Sequence, residues 1–329
     1  FNDDLGELTI ESIADFSIKL FKENAKKNEN VLISPTSVIT SISLIANGAN
    51  KGTLTQMEYV IGGELGELNN YVKYLDKNSL KISNSLWYRE DINIEDDFIN
   101  IISNDLKAYL CGTNFDNQTI KDIKHWVGKN IKGETNKLIE DIAEDTIMYL
   151  INTAYFDAEW EIPYDSQDIS MWEFKGLNVR NVEMMNSVEM YYIDDGKSIG
   201  FIKPYKEDYS FVVILPNNGI NKYISEMSGE DFINNINNAK SGIVYTTIPK
   251  FTHDFTVSMN SSLKKLGMID AFNPNMANFS KIGKYKKENL YVSGMVHKTN
   301  ISVDELGTRA GYNDLVIKEK EILNSKDIY

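Results

Sequence analysis

Apolar residues recur at helical spacing near the start of the chain, where Ile13, Phe16, Leu20 and Phe21 share one face and Asp15, Lys19 and Lys22 lie between them. A repeat close to 3.6 residues predicts an amphipathic helix that buries one stripe. Residues 26–30 read as a polar turn, and the triplet Val31-Leu32-Ile33 predicts a short strand. Ser34-Pro35 ends it, because proline has no N–H to give to a ladder. Residues 37–46 are mostly apolar and stop before Gly48, which predicts a second helix, buried on most sides.

The pattern then changes period. Residues 80–88 and 147–156 read as strands, and the second is so nearly continuous in its apolar character that a central place in a sheet is expected. Between them, Ile120, Ile123, Val127 and Ile131 mark a helix that closes near Gly133. Phe211-Val212-Val213-Ile214-Leu215 runs into Pro216-Asn217-Asn218-Gly219, a strand followed by a turn. Residues 242–251 predict another strand, and 261–266 a short helix that Gly267 stops. Helices dominate early and strands late, without repeats, linkers or regular alternation. That order predicts one α+β domain over residues 1–329 rather than a parallel nucleotide-binding fold.

Composition narrows the class. With 42% hydrophobic and 25% charged residues, the chain can bury a substantial core, so extended disorder is not expected. A net charge of -14 argues against nucleic acid or an anionic membrane as partner, since both repel an acidic surface. No apolar run reaches the eighteen or so residues of a membrane span. The single cysteine, Cys111, leaves no internal disulfide, so stability has to come from packing. Glycan-acceptor triplets begin at Asn117, Asn260, Asn278 and Asn300, and an extracellular or secreted location is expected ahead of a cytoplasmic one.

Catalytic chemistry finds little support. His125, His253 and His297 stand in no metal-ligand spacing, and the glycine-flanked serine elbow and phosphate-binding loops are missing. Cys111 reads as a small buried hydrophobe, so neither an enzyme nor a bound metal or cofactor is expected.

A different kind of signal is spread along the chain. Asn30-Val-Leu-Ile-Ser-Pro-Thr-Ser37 is followed by Gly48-Ala-Asn-Lys-Gly52, Asn84-Ser-Leu-Trp87 and Ile151-Asn152-Thr-Ala-Tyr-Phe156 with Trp160. Then come Val182-Glu-Met184, Ile214-Leu-Pro216, Ile248-Pro249-Lys250-Phe251, Leu263-Lys-Lys-Leu-Gly267 and Ala277-Asn-Phe-Ser280. Leu290-Tyr-Val-Ser293, Val296-His297-Lys298 and Val303-Asp-Glu305-Leu-Gly307-Thr308 close the series. In order and spacing these segments resemble the serpin family from about Phe16 to Thr308. The resemblance implies three sheets, about nine helices, and a central sheet that opens to accept a loop. It places Ser34, Ser37, Asn152 and His297 in the polar shutter beneath that sheet and Trp160 at the breach where the loop first enters.

The resemblance also implies a function, inhibition of serine proteases by a cleavable bait loop that inserts into the central sheet as an extra strand. Its hinge falls on Glu305, Gly307, Thr308, Arg309, Ala310 and Gly311, where small residues let a strand enter a packed sheet. Arg309 stands where the family usually has an acid, and Tyr312 and Asp314 are unsuited to burial, departures that predict slow or partial insertion. A binding or carrier role, with the loop cut merely as a substrate, is the alternative. Loop length places the scissile bond at Glu321-Ile322, with Lys320 and Tyr329 as alternatives, so a trypsin-like, chymotrypsin-like or Glu-preferring protease is the expected partner. The family's last strands are expected as a separate C-terminal peptide left by loop cleavage.

Overall fold

The computed structural model describes residues 9–75, 80–130, 142, 146–176, 178–286 and 289–317, with side chains as far as 311. Helices α1 (Ile10–Asn24), α2 (Pro35–Ala46), α3 (Lys51–Ile61) and α4 (Leu65–Tyr74) open the fold. They are followed by α5 (Asp96–Asn100), α6 (Asn117–Asn130), α7 (Ile220–Glu226), α8 (Gly229–Asn237) and α9 (Asn260–Leu266). None of the described helices is long and apolar enough to cross a membrane.

Local chemistry sets the ends of these helices. The Thr9 side chain accepts from the Ser12 N–H at the start of α1. Ser34 does the same for Ser37 at the start of α2, with Pro35 in the first turn, where its missing N–H costs nothing. Gly62 ends α3 at φ 83°, a left-handed conformation that favours glycine. Helix α2 is buried along Ser37 to Ala46, and two of its polar members fold back on the helix: Thr40 Oγ1 donates to Thr36 O and Ser43 Oγ to Ile39 O.

The strands are β1 (Leu80–Arg89), β2 (Asn93–Ile94), β3 (Tyr109–Thr113), β4 (Met148–Glu159), β5 (Ile169–Lys175), β6 (Val179–Asp194) and β7 (Ser198–Pro204). After them come β8 (Ser210–Pro216), β9 (Lys240–Pro249), β10 (Phe251–Ser258), β11 (Gly283–Lys284), β12 (Gly294–Val303) and β13 (Gly307–Ile317). They form a six-stranded sheet in the order β10-β12-β13-β4-β1-β3, a small β2-β11 pair, and a sheet β5-β6-β7-β8 with β9 also on β6. Only the β1–β3 contact in the six-stranded sheet is parallel. β4 is buried from Met148 to Ala154, the central position its apolar run predicted. Beneath it α2 joins Phe16 and Leu20 of α1, Met57 and Ile61 of α3, and Leu86 and Leu150 of the sheet in the largest core.

Two expectations change. Val31-Leu32-Ile33 is irregular rather than a strand, because among the described residues no strand forms a backbone ladder with it. Its anchors are side-chain bonds, Thr299 Oγ1 to Leu32 O and the neighbouring Ser34 N–H to His297 Nε2. The run expected over 242–251 is two strands, since Lys250 breaks β9 from β10 and its N–H turns to Glu183 O.

Candidate functional site

The junction of β12, β13 and β4 collects most of the residues singled out from the sequence. β12 and β13 are joined by the turn Asp304-Glu305-Leu306, and β13 lies between β12 and β4, antiparallel to both. The ladder with β4 runs unbroken from Gly307 to Ile317 and that with β12 from Thr308 to Ile317, so the segment is a sheet strand throughout its described length. Position 314 is paired with His297 on one side and Asn152 on the other, a polar pair rather than an apolar one, and position 312 meets the small Ala154.

Small residues make this entry possible. A Cβ on Gly307 would lie 2.1 Å from the Ala158 carbonyl oxygen, closer than any side chain tolerates. Thr308 and Ala310 face inward and are buried, while Arg309 faces solvent, the alternation a strand imposes. The Thr308 hydroxyl is not left bare, since the Tyr205 hydroxyl donates to it at 2.6 Å.

Trp160 is fully buried beside the turn. Its indole Nε1 donates to Asp304 O at 2.9 Å, its backbone N–H donates to Leu306 O, and its ring stacks on Tyr205 at 4.5 Å. The Tyr164 N–H reaches Glu305 O. The three backbone carbonyls of the turn are thus held by two residues, Trp160 and Tyr164.

Further along the sheet, the Ser34 N–H donates to His297 Nε2 at 3.0 Å, and Ser34 Oγ lies 3.2 Å from Ser37 Oγ. His297, Ser37 and Asn152 have no exposed surface, and Ser34 is nearly as buried. Asn152 belongs to a second contact, its Nδ2 donating to Asn84 Oδ1 on β1 at 2.8 Å. The four sequence-derived residues therefore divide into a Ser34–Ser37–His297 set and an Asn152–Asn84 pair, with β13 passing between them. Asn84 was legible only as part of a matching stretch, not as a site residue.

Charges surround the β12–β13 turn. Lys250 pairs with Glu305 at 2.8 Å, and Arg309 Nη1 donates to Asp304 Oδ2 at 2.7 Å. Partial burial pushes the Asp304 carboxyl up, but the N–H groups of Leu306 and Gly307 and the Arg309 guanidinium outweigh it and hold it below the usual carboxylate range. The Lys250 ammonium lowers Glu305 in the same direction. A carboxyl lowered by folding contributes stability above its unfolded pKa and loses it as pH falls through the folded one. Hydrogen exchange at the Gly307 amide, corrected for its intrinsic rate, is therefore expected to stay constant above about pH 5 and to quicken below about pH 4.

Glu321, Ile322, Lys320 and Tyr329 lie outside the described residues. Sequence reasoning missed Lys203 and Glu189, a buried ion pair 2.8 Å apart beneath Trp160, and Tyr205, Asp157 and Asp304, which hold Thr308 and Arg309. No local signal marks such partners; only Lys250 and Asp304 stood inside quoted motifs.

Comparison with known proteins agrees with this geometry. The structure superposes on the crystal structure of the thermophilic serpin tengpin in its latent state with a TM-score of 0.91 and 41% identity, covering 98% of this chain and 93% of that one. Plasma serine protease inhibitor of Mus musculus is 27% identical over 91% of this chain and 79% of its own length. Thyroxine-binding globulin of Sus scrofa is 26% identical over 90% and 77%. The family model Serpin (serine protease inhibitor) matches residues 11–326, and with the loop segment seated as a strand of the central sheet, the chain belongs to the serpin family.

Proposed function

We propose that the protein inhibits a serine protease by the serpin mechanism, as a trap used once per molecule. The target's serine hydroxyl attacks the carbonyl carbon of the scissile bond, Glu321-Ile322 by loop length, and displaces the amine to leave an ester. The freed segment then enters the central sheet as β13 and carries the esterified protease with it. The observation that carries this reading is the unbroken pairing of Thr308 to Ile317 with both neighbours. A packed sheet gains two ladders of hydrogen bonds by that step, and cutting the loop frees the segment to take them.

In this reading Ser34, Ser37, Asn152 and His297 form the shutter, whose side-chain bonds exchange partners as β12 and β4 separate. Trp160 forms the breach, and Glu305 to Gly311 the hinge. A separate C-terminal peptide is the second partner. Its proposed seat is the outer edge of β8, which among the described residues ends its sheet and keeps Phe211 to Ile214 only half-buried and Leu215 exposed. Mass spectrometry of the protein as isolated tests for it.

The alternative, binding or carriage with the loop cut as a substrate, is favoured by the thyroxine-binding relative and by Tyr312 and Asp314 in the inserting strand. Incubating the uncut protein with trypsin-like, chymotrypsin-like and Glu-preferring serine proteases separates the two. A complex that survives boiling in detergent, with the cut mapped by mass to 320–322, is the expected result. Steady cleavage of the loop by all three, with no such complex, would leave only the alternative.

A further inference from the structure

The solvent face of the sheet at the loop's entry carries three carboxylates: Asp157 and Glu159 on β4 and Asp304 in the β12–β13 turn. One cation from the inserting strand meets them. Arg309 is paired in register with Asp157 on β4 and with Ser302 on β12. Its Nη1 lies 2.7 Å from Asp304 Oδ2 and its Nε 3.7 Å from Asp157 Oδ1. Each acid is itself held in place: Asp304 Oδ1 accepts the Leu306 and Gly307 N–H groups, and Asp157 Oδ2 accepts the Tyr155 hydroxyl at 3.0 Å.

We infer that Arg309 is the positioning residue that fixes the register of loop entry, bridging the turn acid Asp304 to the strand acid Asp157; this rests on the insertion mechanism above. The ladder to β4 alone does not choose a register, because a slip of two residues, with the turn from β12 lengthened to match, restores both the hydrogen bonds and the side-chain faces. The inward residues discriminate weakly, since Thr308 and Ala310 are both small. On the outer face Gly307 and Gly311 flank Arg309 and offer no side chain, so Arg309 supplies the charge that distinguishes one register from the next there, beside the steric demand for glycine at the Ala158 carbonyl. A slip of two sets it opposite Tyr155 or Glu159 and leaves a glycine opposite Asp157. An acid at 309, usual in the family this chain belongs to, would face Asp157 and Asp304 at close range with Glu159 beyond. The reversed charge at 309 and the acids around it form one matched set. Because Asp304 is only five residues from Arg309, the turn can orient the guanidinium before β4 receives it.

A charge-reversal cycle tests this: Arg309→Glu, Asp157→Arg, their combination, and Arg309→Lys. The uncut proteins are nicked in the loop by limited proteolysis, the cut is located by mass, and the rate at which amides 307–311 gain exchange protection is followed. Arg309→Glu is expected to slow that gain by about tenfold at low salt. Adding Asp157→Arg should recover it to within about threefold, Arg309→Lys should stay near the parent, and high salt should narrow every difference. Uncut melting temperatures are expected to coincide, which excludes a general loss of stability. Equal rates for Arg309→Glu and the parent, or no rescue in the double variant, overturn the inference. The readout is insertion rather than trapping, so a coupled cycle without any covalent complex would sink only the inhibitor reading. A parent that gains no protection after nicking removes the mechanism on which both rest.

Discussion

Replacing Thr308 with arginine is expected to abolish the stabilisation that follows loop cleavage while leaving cleavage itself intact. Thr308 is buried, its hydroxyl takes the Tyr205 hydrogen bond at 2.6 Å, and its neighbour Ala310 is buried too. An arginine there would have to place a guanidinium in the interior with no carboxylate built to receive it, a cost of several kcal/mol, on the order of the whole benefit of adding one strand. The segment is then cheaper to leave in water. The parent is expected to melt well above its uncut form once cut, and Thr308→Arg to melt at the same temperature cut or uncut, by calorimetry on both forms. Gly307→Val should behave alike for a steric reason, because the space its side chain needs is occupied by the Ala158 carbonyl. With a target protease, both variants should shift from trapping to turnover, seen as loss of the detergent-resistant complex with undiminished loop cutting. A cut Thr308→Arg protein that still gains the parent's full increment would show that burial at this position does not limit insertion.

Much of the scaffold was legible because its causes are local. The stripe of Phe16 and Leu20 predicts α1, and the apolar run through Ile151 predicts a central β4; both follow from period and burial. Gly267 stops α9 where expected, at φ 123°. Val31-Leu32-Ile33 was misread for the opposite reason: a strand is a property of a pair, and three apolar residues carry no information about a neighbour. β13 is the sharper case. Gly-Thr-Arg-Ala-Gly has no strand-like hydrophobicity, and its place in the sheet was expected from the family resemblance rather than from any pattern in the residues. The ion pairs around the hinge were illegible altogether. Arg309 and Asp157 are far apart in sequence, and a residue's charge states a need for a partner without naming one.

The buried pair Lys203–Glu189 carries the second large expectation. Lys203 Nζ lies 2.8 Å from Glu189 Oε1, with side chains only 3% and 8% exposed, so solvent screens neither charge. The ammonium also lies 4.4 Å from the centre of the Tyr164 ring and 5.5 Å from that of Trp160. Burial pushes the Tyr164 phenol up to about 12, so the cation faces a neutral ring whose negative π face attracts it. On the far side, Ser187 Oγ donates to Glu189 Oε1 at 2.6 Å. Removing one member leaves the other charged and buried, which costs about 3–5 kcal/mol, whereas removing both exchanges a desolvated ion pair for apolar packing. Lys203→Met and Glu189→Leu are therefore each expected to lower the urea midpoint substantially, and the double variant to recover most of the loss. Trp160, packed over the ammonium, gives a local probe, since its fluorescence should shift in the single variants before global unfolding begins. Additive losses in the double variant would mean that the two charges do not compensate one another. Recovery would show instead that this part of the fold needs charge balance under Trp160 rather than charge as such, and would separate the stability of the entry point from the register chosen by the exposed charges above it.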